Sequence, residues 1–139
     1  MTRDDERAAQ HDVAEVLVRY ATGVDRRDWD LFRSCFTDDV HAEYEGIETW
    51  ESVDAITAYM ETTHAEMGHT LHRLSNMSIT VDGDTATARS YVDAVLMAAD
   101  NRTGLNAIGY YDDELLRTAS GWRIARRRFT MVHFRTLGG

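Results

Sequence analysis

The hydrophobic side chains change period once along this chain, and that single change limits the possible folds more than any other feature. Up to about Met67 the apolar residues recur at helical steps, and after His69 they alternate as in strands. Val13, Val16, Leu17, Tyr20, Ala21 and Val24 make an amphipathic helix over about Asp4 to Val24, and Asp25 closes it. Asp28 caps a short second helix through Trp29, Leu31, Phe32 and Phe36, and Val40 to Tyr44 reads as a short strand. Ser52 starts a third helix with Val53, Ile56, Tyr59 and Met60 as its stripe. Two hairpins follow: Thr70 to Val81 with Thr85 to Ala98 across Asp82-Gly83-Asp84, then Asn106 to Arg117 with Trp122 to Arg135 across Thr118 to Gly121. Helices first and long strands afterwards predict an α+β domain, its helices packed on one face of a curling sheet.

One domain, residues 1–139, accounts for the whole chain, because 139 residues with 43% hydrophobic content bury one core. A net charge of −9 argues against a nucleic-acid surface, since phosphate binding needs a basic footprint. The one dense basic run, Arg126-Arg127-Arg128, lies in a strand, where alternation sends neighbours to opposite faces. No stretch has the length of a membrane span, and the polar start MTRDDERAAQ is unlike a secretory signal, so a cytoplasmic protein is expected. The single Cys35 sits in the apolar segment LFRSCF and is expected to fill core. His64, His69 and His72 are near in sequence, but helix end, loop and strand parity separate them. With no HExxH and no paired cysteines, no metal is expected. No glycine-rich loop precedes a helix, so no nucleotide cofactor is expected either.

Polar residues recurring on apolar faces point to a pocket. Asp25 stands at the negative end of a helix dipole against an apolar interior, which should raise its pKa and make it a base; the alternative is a surface charge paired with Arg26 or Arg27. Strand alternation puts His72 and Asn76 on one face with Leu74, and Tyr91 and Asp93 on one face with Val95 and Met97. Arg127 shares a face with Phe129, Met131 and His133, and an inward guanidinium there could hold a carboxylate or enolate oxygen. The alternative for Arg127 is an ion pair with Asp93 or Glu114. Tyr20 at helical spacing and Tyr44 on a short strand are either core and surface residues or hydroxyl donors to a ligand. Phe32, Phe36, Leu74, Phe129 and Met131 would supply walls suited to a flat or polycyclic apolar substrate.

The stretch RYATGVDRRDWDLFRSCFTDDVHAEY, followed by TLHRLSN, VDGDTATARSYV and GYYDDELLRTASGWRIARRR, resembles the SnoaL-like branch of the nuclear-transport-factor-2-like superfamily over nearly the whole chain. The resemblance implies a cone in which a strongly curved mixed sheet wraps three helices around a deep pocket. Its members include polyketide cyclases, scytalone dehydratase, bile-acid dehydratases, ketosteroid isomerases, dioxygenase small subunits and non-catalytic binding proteins. Tyr20 and Asp25 fall where the bile-acid dehydratases place a catalytic tyrosine and aspartate, and His72 falls on their strand-borne histidine. Tyr44 takes the place of a pocket tyrosine of scytalone dehydratase. The chain departs from that enzyme on the next strand, where Tyr91, with Asp93 two residues on, stands for its second histidine, and Tyr110 and Asp112 lie nearest its pocket serine and asparagine.

The expectation is a small cofactor-independent enzyme doing acid–base chemistry on an apolar polyketide- or steroid-like substrate. An imidazole at His72 would move the proton, Asp25 would orient it or act as base, and Tyr20 or Tyr91 would donate to an enolate oxygen. Dehydration, isomerisation and cyclisation all pass through such an enolate. The alternatives are a non-catalytic small-ligand-binding module and the small subunit of a ring-hydroxylating dioxygenase. A homodimer is expected through the outer face of the sheet, on a surface containing Ala86, Ala88 and Ala94.

Overall fold

Residues 1–138 are described by the computed structural model of this protein. Helix α1 (Arg3–Arg26) opens with a capping box, in which Thr2 and Asp5 satisfy each other's backbone N–H groups, and it carries Asp4, Asp5 and Glu6 in its first turn. It runs two residues past the expected end, so Asp25 lies inside its last turn, and Arg27 caps it in the left-handed region at φ 58°. Helix α2 (Trp29–Arg33) is capped by Asp28 and helix α3 (Val53–His64) by Ser52, each accepting a backbone N–H three residues on. No described helix is long and apolar enough to cross a membrane.

The strands are β1 (Phe36–Tyr44), β2 (Glu48–Trp50), β3 (Met67–Asp82), β4 (Thr85–Ala98), β5 (Gly104–Thr118) and β6 (Gly121–Leu137). Strand β1 is longer than its apolar run suggested, and β2, three residues long, escaped the periodicity altogether. They form one sheet in the order β2-β1-β6-β5-β4-β3, antiparallel throughout except for the parallel β1–β6 pair. The first hairpin turns on Gly83 at φ 60°, the left-handed first position of a two-residue loop. The curved sheet wraps the helices as a cone. Val13, Val16, Leu17, Tyr20 and Val24 of α1 are buried in one cluster with Phe32, Phe36, Ala86, Ala88, Val92 and Ala94.

Irregularities in the strands decide which side chains face inward. In β3 one extra residue falls between Ser75 and Ser78, with Asn76 at φ 47°; parity switches there, so Met77, Ile79 and Val81 turn toward the core while Asn76 is exposed. In β6 Val132 is the extra residue between the pairs Gly109–Met131 and Ile108–His133. Gly109 is needed there, because a Cβ would collide with the Thr130 carbonyl. On β4 the expected parity is reversed. Ala86, Ala88, Ser90, Val92 and Ala94 are buried on the helix-covered face, while Tyr91 is 48% exposed on the outer one. That reversal also removes the alanine surface expected to join two copies. The outer face carries cross-strand ion pairs instead: Arg73–Asp93, Arg89–Asp112, Arg126–Glu114 and Arg128–Glu43.

Candidate functional site

Arg27 joins the end of α1 to the start of β3. Its Nη1 donates to the Val24 and Asp25 carbonyls at 3.2 and 3.3 Å and to Thr70 Oγ1 at 2.8 Å, while Nη2 donates to the Gly68 carbonyl at 2.7 Å. The Asp25 carboxylate is thereby aimed at β3, where it accepts three hydrogen bonds. Thr70 Oγ1 donates to Oδ1 at 3.0 Å, the His72 backbone N–H donates to Oδ2 at 2.8 Å, and His72 Nδ1 lies 2.7 Å from Oδ1. The side chains of His72 and Asp25 are 9% and 19% exposed.

The expected rise in the Asp25 pKa is overturned. Partial burial does push it up, but the hydrogen bonds from the His72 ring, the His72 backbone and Thr70 together outweigh burial and hold the carboxyl below its ordinary value. Asp25 is therefore an anion that only accepts, so His72 Nδ1 is the donor across the 2.7 Å contact. In the surface alternative Asp25 paired with an arginine side chain; here Arg27 binds its carbonyl rather than its carboxylate.

Beside the dyad lies a cavity of about 500 Å³, lined by His72, Tyr20, Tyr44 and Tyr111 and otherwise mostly by apolar side chains such as Met60, Val92, Leu96, Phe129 and Met131. Tyr20 packs edge-on against His72, ring centroids 6.4 Å apart. Its hydroxyl is 2.7 Å from that of Tyr44. Burial drives the pKa of Tyr20, Tyr44 and Tyr111 upward, so all three remain protonated phenols. Behind them is Arg127, 2% exposed, its guanidinium 4.2 Å from the Tyr20 ring centre and 3.9 Å from that of Tyr111.

Several expected site residues lie elsewhere. Arg127 points inward as expected, but it forms a bidentate pair with buried Asp113 (Nε–Oδ1 2.7 Å, Nη2–Oδ2 2.9 Å) and sits behind the cavity wall. Its partner is neither Asp93, which pairs with Arg73 and Asn106, nor Glu114, which pairs with Arg126. Tyr91, Asp93 and Tyr110 are on the outer face, where Arg89 stacks 4.4 Å over the Tyr110 ring. Asn76 is exposed at its bulge, and Phe32 and Leu74 pack in the core behind the cavity. Tyr44, Phe129 and Met131 do line it.

Tyr111, Phe134 and His64 are among the lining residues that escaped the sequence reading. Tyr111 is the inward member of the pair Tyr110-Tyr111, a choice the sequence leaves open because either parity buries one aromatic. Phe134 faces the cavity in place of His133 because Val132 reverses the strand parity. His64 had a usable signal, since it extends the stripe Ile56, Met60 at four-residue steps. It is 5% exposed and its ring centre is 6.3 Å from that of His72. Its Nδ1 donates to the Met60 carbonyl at 2.8 Å. Burial lowers its pKa to about 4, helped by His72 and the Arg27 cation and opposed by the Met60 carbonyl and Asp25.

An α+β cone in which a curved six-stranded sheet wraps three helices is the fold of the nuclear-transport-factor-2-like proteins. Within them the chain belongs to the SnoaL-like domain family, whose pattern matches residues 5–128. It is 30% identical over 118 residues to the uncharacterized protein Rv2910c of Mycobacterium tuberculosis, which covers 84% of this chain and 80% of that one. The structure is similar to that of the Kfla4162 protein from Kribbella flavida (TM-score 0.85, 25% identity, 96% of this chain and 95% of that one). It also shares its fold with a hexachlorocyclohexane dehydrochlorinase, LinA type 2 (TM-score 0.78, 21% identity, 96% of this chain and 89% of that one).

Proposed function

We propose that this protein is a small acid–base enzyme that removes a proton from carbon next to a carbonyl group on an apolar, polyketide- or steroid-like substrate. The observation that carries the reading is the 2.7 Å contact between His72 Nδ1 and an anionic Asp25 on a ring that lines the cavity. In the forward step the Nε2 lone pair takes the proton, the C–H electrons move into the carbonyl, and an enolate forms. The imidazolium is stabilised by Asp25, and the enolate oxygen accepts a hydrogen bond from the Tyr20 hydroxyl. Return of the proton to a β-hydroxyl would complete a dehydration, return to another carbon an isomerisation, and attack of the enolate carbon on a second carbonyl a cyclisation. A cavity of about 500 Å³ with mostly apolar walls suits a ligand of two or three fused rings. The SnoaL-like membership supports chemistry of this kind without choosing among its outcomes.

The test is proton exchange, which needs no knowledge of the later steps. Incubated in D₂O with a fused bicyclic ketone such as 2-tetralone, the protein should accelerate deuterium uptake at the α-carbon, and His72→Ala should abolish the acceleration. Binding of the ketone with no enhanced exchange would mean a ligand-binding module and would end the enzymatic reading.

A further inference from the structure

We propose that His64 is a ligand-binding residue of this cavity, and that its Nε2 accepts a hydrogen bond from a hydroxyl group on the ligand. The ring is part of the cavity wall at the C-terminal end of α3, with the ring centres of Trp29 and His72 6.1 and 6.3 Å away. One contact fixes its tautomer. A carbonyl oxygen only accepts, so Nδ1, 2.8 Å from that of Met60, carries the proton. Nδ1 is thereby turned back onto its own helix, and Nε2, on the outer side of the imidazole, holds the lone pair of a neutral ring. Burial keeps the ring in that form near neutral pH, its pKa being lowered to about 4. The lone pair is buried and, among the described residues, has no hydrogen-bond partner. Thr63 does not supply one, because its hydroxyl donates to the Met60 carbonyl at 3.3 Å. An acceptor left unpaired in the interior costs stability. A residue needed only to extend the apolar stripe of Ile56 and Met60 would be better as leucine, which carries no such cost. A ligand hydroxyl in the cavity supplies the donor that the protein withholds.

The class of ligand this selects is a hydroxylated, otherwise apolar fused-ring compound with its hydroxyl at the α3 end of the cavity. That the hydroxyl lies on the same part of the ligand as the carbon losing its proton rests on the role proposed for His72; the acceptor itself does not, and its test is binding. 2-Naphthol and 2-methylnaphthalene match in shape and differ in one hydroxyl group. In fluorescence titrations the wild type should bind the naphthol more tightly by about tenfold or more. Groups other than His64 that bond the naphthol oxygen contribute to this ratio in every variant, so the diagnostic quantity is its change. In His64→Leu the ratio should fall by about tenfold, because the acceptor is gone and an apolar side chain remains. In His72→Ala it should survive. The wild type alone gives a second readout that does not depend on the folding of any variant. With nitrogen-15 histidine incorporated, the His64 Nε2 resonance should move upfield on saturation with 2-naphthol, as that of a lone pair gaining a donor does. The same ratio in wild type and His64→Leu, loss of the ratio in His72→Ala instead, an unmoved Nε2 resonance, or binding of neither compound would overturn the proposal. A naphthol preference that depends on His64, without α-proton exchange of 2-tetralone, would leave the acceptor standing and remove the proposed enzymatic function, so the two fail separately.

Discussion

Replacing His64 by leucine should flatten the acid side of the stability curve. His64 is held near pKa 4, against 6.5 for an ordinary imidazole, because it is buried beside His72 and Arg27 with only the Met60 carbonyl and Asp25 favouring its charged form. The folded-state value is depressed, so between pH 6.5 and about 4 the unfolded chain binds more protons than the folded one. The contribution is therefore complete above pH 6.5 and is lost as pH falls, the loss being complete near pH 4. At about 1.4 kcal/mol per pH unit, this gap corresponds to about 3 kcal/mol of pH-dependent stability. Asp25, with its lowered pKa, loses its contribution only below its ordinary value of 3.8, outside this window. Urea unfolding of wild type and His64→Leu from pH 7.5 to 4.0 measures the effect, since groups remote from His64 cancel in the difference. The variant loses the Nδ1–Met60 hydrogen bond, about 1 kcal/mol, so at pH 7.5 it should be equal to or slightly less stable than wild type. By pH 4.5 it should be the more stable of the two. Curves that run parallel across the window, within about 1 kcal/mol of a constant offset, would refute the claim that His64 is buried as a neutral ring.

Asp25→Asn and His72→Ala should each reduce ketone α-proton exchange by about a hundredfold or more. The double variant should lose little beyond the worse single one, and multiplicative losses measured by NMR would show that the two do not act together. Arg127→Met should destabilise the fold by about 3–5 kcal/mol in chemical denaturation, because it leaves the Asp113 carboxylate buried without its partner. The double replacement Arg127→Met with Asp113→Leu should recover much of that loss; a small effect of the single change would mean that the pair is not buried as described. Tyr20→Phe should slow exchange about a hundredfold with ligand affinity nearly intact, whereas Tyr91→Phe, on the outer face, should change neither exchange nor binding.

Periodicity carries element type because backbone geometry imposes it locally, and here both halves of the chain announced their class. The 3.6-residue stripe of α1 and the caps at Asp28 and Ser52 all reappear where local rules placed them. The pairing of Asp25 with His72 was legible only as a conjunction. A carboxylate at a helix end and a histidine on a strand are each ordinary, and the segment resemblance brought them together. The sign of the Asp25 pKa shift was beyond reach, because it depends on three donors from β3 that are 45 to 47 residues distant.

What the sequence determined by itself is what depends on neighbours within a turn or a strand: the order of elements, their caps, the two hairpin turns and the membership of the chain in a cone-shaped α+β class. Tertiary structure decided everything that depends on parity. A single extra residue at Asn76 or Val132 exchanges the faces of all that follows, and alternation alone cannot register it when both faces hold apolar side chains. The extra residue at Val132 puts Phe134 within, while the way β4 and β5 sit in the sheet puts Tyr91 and Tyr110 outside and Tyr111 within. The same holds for Arg127, whose partner is the one carboxylate that β5 brings opposite it. Long-range register chose Asp113 over Asp93 and Glu114, because a buried guanidinium requires a charge in contact, and only the folded sheet supplies one at that place.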